Sequence, residues 1–233
     1  SRPRHLSHAR THAMLSTEDD VYLTRHGARI DKEDSGWLAK ADHRRADDPQ
    51  LSAGGELGAR ELAAKLSEVH AEEPIAHIVC SPFLRCVQTA QPVAEVLGLP
   101  IKIEPGICEI LTTFPPGFLD TPELAEHCPA VDGSYEPVVR REQLGQEQGD
   151  REAARRAASA ASAVRGQLQG RILFVGHGAS CLGIAEAFGG DDYIGYTSLT
   201  RFSRSAGRGW AVVGTFGDAS HLSDQLTAKR SAF

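Results

Sequence analysis

Short apolar runs that stop at polar, glycine-bearing segments alternate along the chain with stretches whose apolar residues return at helical spacing. The runs Asp20–Arg25, Ile75–Cys80, Pro100–Ile103 and Arg171–Val175 predict strands. Between them, Leu57, Ala59, Leu62, Ala63, Leu66 and Val69 make one helical stripe, with Ser52 as its cap. A second helix is expected to open at Ser81-Pro82, kink at Pro92 and end at Gly98. Arg151–Leu168 predicts an alanine-rich helix, and Ser180–Phe188 another. Tyr196–Phe202 and Trp210–Phe216 predict strands joined through Ala206-Gly207-Arg208-Gly209.

Two stretches lack periodicity. Asp31–Gln50 is polar and rich in aspartate, and is expected as a loop reaching over whatever lies at the strand ends. Within it Trp37, His43, Arg44 and Arg45 are candidate substrate contacts, weighed against a solvated loop with one packed tryptophan. Thr112–Gln148 carries prolines, glycines, Phe114, Phe118 and Tyr135, and is expected as an irregular cap with short helices.

The 233 residues suit one α/β domain with an inserted cap, and 41% apolar with 24% charged residues is ordinary for a globular protein. A net charge of −6 argues against general nucleic-acid binding, so any anion must meet a local positive site. The cysteines, Cys80, Cys86, Cys108, Cys128 and Cys181, form no Cys-x-x-Cys pair, and a reduced, cytoplasmic compartment is expected. Cys86 and Cys108 neighbour the candidate site, yet buried inert thiols are the preferred reading. No apolar run approaches a membrane span, and no secretory h-region leads the chain. With Ser1 first and Met14 the only methionine, the leading segment is expected to be an appended tail or the cut end of a longer chain. His5, His8 and His12 could share a helix face and bind a metal, but a solvated tail is the expected reading. Residues 1–18 are accordingly set apart from a single domain over 19–233, its cap at about 110–148.

The chemistry gathers where strands end. The first run closes in Arg25-His26-Gly27-Ala28-Arg29, and we read it as a phosphate site. Guanidinium forks match phosphate oxygens, a neutral imidazole offers a nitrogen able to attack phosphorus, and Gly27 is expected to let the backbone approach a ligand. Three later stretches repeat the placement: Ser81-Pro82-Phe83-Leu84-Arg85 with Gln88-Thr89-Ala90, then Gly106-Ile107-Cys108-Glu109, then Val175-Gly176-His177-Gly178. Arg85 falls in the first turn of a helix, where backbone donors also favour an anion.

Together these motifs resemble the histidine phosphatase superfamily, the phosphoglycerate mutase-like fold, over about Val21 to Ile184. Arg29-Ile30-Asp31, Leu84-Arg85-Cys86-Val87-Gln88-Thr89-Ala90 and Ile103-Glu104-Pro105-Gly106 are similar to its branch of Sts (suppressor of T-cell-receptor signalling) tyrosine phosphatases and ecdysteroid-phosphate phosphatases. The resemblance implies a three-layer fold with a mostly parallel central sheet flanked by helices, and an inserted cap. It implies a phosphomonoesterase needing no metal or other cofactor. His26 is the expected nucleophile, its other nitrogen donating to a backbone carbonyl, and Arg25, Arg29, Arg85 and His177 are expected around the phosphoryl oxygens. Glu109 is the expected general acid and base, with Asp31 or a cap carboxylate next in line. Rival readings are a phosphoglycerate-type mutase, from whose usual motif Ala28-Arg29-Ile30-Asp31 departs, and a phosphate-binding module without catalysis. The expected partners are a phosphorylated small molecule or phosphoprotein, with neither nucleic acid nor membrane. A homodimer is left open.

Overall fold

The computed structural model describes residues 15–41 and 45–223. Strands β1 (Leu15–Arg25), β2 (Ile75–Cys80), β3 (Ile101–Ile103), β4 (Arg171–Gly176), β5 (Leu199–Ser205) and β6 (Gly209–Asp218) build one six-stranded sheet, ordered β3-β2-β4-β1-β5-β6. The first four in that order are parallel, and β5 and β6 are antiparallel additions on one side. The helices are α1 (Ile30–Glu33), α2 (Trp37–Lys40), α3 (Ala53–Glu72), α4 (Leu84–Leu97), α5 (Thr121–His127), α6 (Asp150–Gln167) and α7 (Gly178–Ala187).

Successive strand residues face opposite layers, and here both layers are apolar. Tyr22, Ile78, Cys80, Leu173 and Val175 pack against Leu62 and Leu66 of α3 and Val87, Val93 and Leu97 of α4. Val21, Leu23, Val79, Ile172 and Phe174 pack on the other side against Ala157, Ala161 and Val164 of α6 and Cys181 and Ile184 of α7. The three layers follow from this alternation: a sheet apolar on both faces requires helices on both.

Several local expectations are met. Ser52 caps α3 by accepting from the Gly55 amide (3.1 Å), and Gly98 ends α4 in the left-handed region at φ 64°. Others shift. The first strand begins at Leu15 rather than Asp20, because Leu15 and Ser16 pair with Ser205 and Arg204 beyond an irregularity that breaks the alternation. The strand expected from Tyr196 begins at Leu199. Helix α4 starts at Leu84, two residues past Pro82, and its first amide donates to Asp48 Oδ1 (2.8 Å) from the preceding loop. It continues as one helix through Pro92, flanked by buried Val93 and Ala94. The loop Asp31–Gln50 contains α1 and α2, with Trp37 half-buried on α2. His43 and Arg44 lie outside the described residues, as do His5, His8 and His12. Among the described residues no helix is long and apolar enough to cross a membrane.

Residues 108–148 are irregular apart from α5 and one turn of 3-10 helix at Arg141–Gln143. Buried Glu104 anchors the returning part of this segment. Its carboxylate accepts from the amides of Gly106 (2.9 Å), Val138 (2.7 Å) and Val139 (3.0 Å) and from the Tyr135 hydroxyl (3.2 Å). Phe118 packs on Phe83 with ring centroids 5.3 Å apart, tying the segment to the start of α4.

Candidate active site

Strand β4 lies between β1 and β2, so the carboxyl ends of all three fall side by side on one edge. Arg25 pairs with Gly176, the His26 amide donates to the Gly176 carbonyl (3.0 Å), and the Ser81 amide donates to the Val175 carbonyl (3.0 Å). His26 and His177 leave neighbouring strands, which brings their rings to 5.1 Å at 61°.

Both imidazoles are fully buried. His26 Nδ1 donates to the Gly27 carbonyl (2.7 Å), which leaves Nε2 with a lone pair, buried and without a hydrogen-bond partner among the described residues. Burial, then the charges of Arg85 and Arg25, hold His26 well below the ordinary value of 6.5, so the ring is neutral. His177 is set differently. The Phe83 amide donates to Ser81 Oγ (3.4 Å), leaving the hydroxyl proton for His177 Nε2 at 2.6 Å. Nδ1 of His177 faces Glu109 Oε2 at 3.5 Å, a contact that suits a protonated Nδ1 with Nε2 accepting from Ser81. Burial, then Arg85 and His26, hold His177 well below 6.5, so this ring too is neutral.

The arginines come from three directions. Arg85 on α4 is 1% exposed; Nη1 donates to the Asp47 carbonyl (3.3 Å) and lies 3.7 Å from buried Asp48, and Nη2 donates to Glu109 Oε2 (3.4 Å). The Arg25 guanidinium lies 4.3 Å from the ring centre of Tyr196, and Arg29 is held by a two-point pair with Asp31 (2.9 and 2.7 Å). The Nε–H groups of Arg25 and Arg85 are buried with no hydrogen-bond partner among the described residues. These two donors suit an oxyanion, whereas His26 Nε2 brings a lone pair. Arg45 donates to Asp48 Oδ2 (3.1 Å) and supports the Arg85 environment.

The first two motifs are wired together. The Gly27 amide donates to Thr89 Oγ1 (3.0 Å), and that hydroxyl donates to the Arg85 carbonyl (2.7 Å). Packing gives two of the glycines a role of their own. A Cβ on Gly27 would stand 2.6 Å from the Gly55 carbonyl oxygen, and one on Gly176 would stand 2.9 Å from Ser180 Oγ. Close packing against α3 and α7 excludes a side chain at these positions. Gly178 instead faces the Arg25 guanidinium, whose Cζ a Cβ would meet at an ordinary 3.7 Å.

Ligand atoms of His26, Glu109 and His177 come within 4.8 Å of one another, a spacing some metal sites share. A cation there would meet the field of Arg25, Arg29 and Arg85, which adds to burial in keeping both histidines unprotonated. The set fits an anion. Cys86 and Cys108 are fully buried, and burial pushes the Cys108 thiol up to about 12, as expected of inert thiols.

Sequence reasoning missed Tyr193 and Tyr196, whose rings flank Arg25 at 5.2 and 4.3 Å, and Tyr196 also lies 5.4 Å from the His26 ring. Their aromatic character within Asp191-Asp192-Tyr193-Ile194-Gly195-Tyr196 was the available signal. Asp48, which caps α4 and faces Arg85, carries no local signature.

Residues 21–213 match the family model described as "Histidine phosphatase superfamily (branch 1)". The Drosophila melanogaster protein named ecdysteroid-phosphate phosphatase is 32% identical over 149 residues, covering 51% of this chain and 20% of that protein. The Saccharomyces cerevisiae transcription factor tau 55 kDa subunit is 34% identical over 94 residues, covering 38% of this chain and 20% of that protein. The chain thus spans about a fifth of the length of these relatives. In fold it is similar to the ecdysone phosphate phosphatase of "Bombix mori", solved with tungstate, at a TM-score of 0.68 and 22% identity over 84% of this chain and 92% of that one. With four strand-end motifs on one sheet edge, all inside the matched span, the chain belongs to the histidine phosphatase superfamily, branch 1.

Proposed function

We propose that this chain is a metal-independent phosphomonoesterase that works through a phosphohistidine on His26. The observation that carries the reading is His26 Nε2: buried, neutral and unpartnered, its tautomer fixed by Gly27, among guanidinium groups. As Nε2 forms a bond to phosphorus, the bond from phosphorus to the leaving oxygen breaks, and a protonated Glu109 gives its proton to that oxygen. Water then attacks phosphorus, Glu109 takes its proton, and the N–P bond breaks to return neutral His26. Arg25, Arg29 and Arg85 balance charge on the equatorial oxygens while His177 donates from Nδ1, so that positioning and electrostatics supply the acceleration.

The substrate class is a phosphate monoester on an aryl, protein-tyrosine or small-molecule carrier, and the fly relative's name adds a steroid phosphate to the panel. Selection among carriers falls to the cap, where a cleft of about 730 Å³ is lined by Arg45, Asp47, Phe114 and Phe118. The cytoplasm is the location we expect from the cysteine pattern. A non-catalytic, phosphate-binding role is the second reading; the yeast relative is named as a transcription factor subunit and not as an enzyme.

The test is reaction with radiolabelled p-nitrophenyl phosphate in chelator, followed by an alkaline quench. A base-stable, acid-labile label on the wild type, absent from His26→Ala, is expected. Label persisting in that variant overturns the nucleophile, and activity lost to chelation but restored by a divalent ion overturns metal independence. A folded wild type that binds inorganic phosphate without turnover of any ester supports the second reading.

A further inference from the structure

Glu109 differs from the other site residues in its support. His26 and His177 follow strands and Arg85 stands on α4, whereas Glu109 lies after a single 3-10 turn, Pro105–Ile107, in a segment without regular structure. A proton donor must be within hydrogen-bond reach of the leaving oxygen, so something must hold this backbone in place.

Arg156 of α6 makes those contacts. Its Nη1 donates to the carbonyls of Gly106 (2.9 Å) and Cys108 (3.3 Å), and its Nη2 donates to the Glu109 carbonyl (3.1 Å). Nε and Nη2 also donate to the two carboxylate oxygens of Glu147 (2.8 and 3.0 Å). Glu147 in turn accepts from the Leu111 amide (3.0 Å), and its own amide donates to the Leu111 carbonyl (3.0 Å). One ion pair, with side chains 15% and 10% exposed, therefore grips the backbone before, at and after Glu109. The helix can come this close because a Cβ on Gly106 would meet the Ala160 methyl at 2.6 Å, so both positions are small.

We propose that Arg156, through its pair with Glu147, is a positioning residue that sets the reach of the Glu109 carboxylate. The inference rests on the general-acid role given to Glu109 above. Guanidinium is suited to the task because its planar fork serves three carbonyls and a carboxylate at once, which a lysine ammonium cannot.

The test compares phosphoenzyme formation in single turnover from p-nitrophenyl phosphate and from an alkyl phosphate. An alkoxide leaving group needs the proton and nitrophenolate hardly does. Glu109→Gln should slow the alkyl ester at least about tenfold more than the aryl ester. Arg156→Lys and Glu147→Gln should widen the same gap, by a smaller factor, whereas a purely structural role would slow both esters alike. If Arg156→Lys fails to fold, Glu147→Gln decides the matter, since it keeps the side chain's size while removing its charge and turning one of its two accepting oxygens into a donor. Equal slowing of both esters in the folded variants, alongside discrimination in Glu109→Gln, overturns the positioning role and leaves the proposed function standing. No discrimination in Glu109→Gln overturns the acid assignment and this inference together, while the His26 label tests the nucleophile separately.

Discussion

The Nδ1 atom of His26 lies 2.7 Å from the carbonyl oxygen of Gly27, its own chain neighbour. A contact between adjacent residues needs no distant group to be in place, so the tautomer of the proposed nucleophile is settled wherever the backbone turns off the strand. His177 depends instead on Ser81, whose hydroxyl reaches Nε2 at 2.6 Å across 96 residues of sequence. The two histidines are thus oriented by local and by tertiary structure respectively.

Both rings are held well below 6.5, by burial first and the neighbouring cations next. Below that value the unfolded chain takes up protons that the folded state refuses, so stability is full above about pH 6.5 and falls as pH drops toward the folded-state values. Each histidine should contribute a slope of about 1.4 kcal/mol per pH unit in that window. Urea unfolding between about pH 7.5 and about pH 5 should show the loss, and His177→Asn should lessen it. An unchanged pH slope in that variant would remove His177 from the account.

Arg85→Ala should lower kcat/KM for p-nitrophenyl phosphate by about 2–4 kcal/mol of transition-state stabilisation, the scale of one oriented donor at developing charge. It should also lower the melting temperature, because Asp48 is fully buried and loses the guanidinium 3.7 Å away. Arg29→Ala removes a side chain about a quarter exposed and paired with Asp31, so its kinetic loss should come with a smaller stability loss. Kinetics and thermal unfolding of both variants separate the two effects.

Thr89→Val keeps the shape of the side chain and deletes the hydroxyl between the Gly27 amide and the Arg85 carbonyl. A buried amide left unpaired costs about 1–3 kcal/mol. Chemical denaturation should register that loss, and kcat should fall as well because the broken link joins the loop of His26 to Arg85, the proposed nucleophile and phosphate ligand. Wild-type stability in Thr89→Val would contradict the wiring.

Glycine-to-alanine changes inside helices ordinarily stabilise, by up to about 1 kcal/mol. Gly55→Ala in α3 should do the opposite, since its Cβ would stand 2.1 Å from the Ala28 carbonyl oxygen, in the turn that carries His26 and Arg29. A lower melting temperature and impaired phosphoenzyme formation are expected. Gly166→Ala in α6, where a Cβ meets nothing within 4 Å, is the matched control and should not lose stability.

The motifs were legible in the sequence because each directly follows an apolar run, and the carboxyl ends of parallel strands share one edge of a sheet. The helical stripe on α3, its Ser52 cap and the Gly98 stop were legible for the same reason: periodicity and capping are local properties. Tertiary structure alone placed β4 between β1 and β2, set Asp48 at the first amide of α4, and brought Tyr196 over Arg25. It also turned Gly27 toward Gly55 and Arg156 toward the backbone of Glu109. The physical reason is that a residue's own segment records whether it is buried, through the period of its neighbours. What it touches across dozens of residues is decided by how helices and sheet pack, and leaves no period to read.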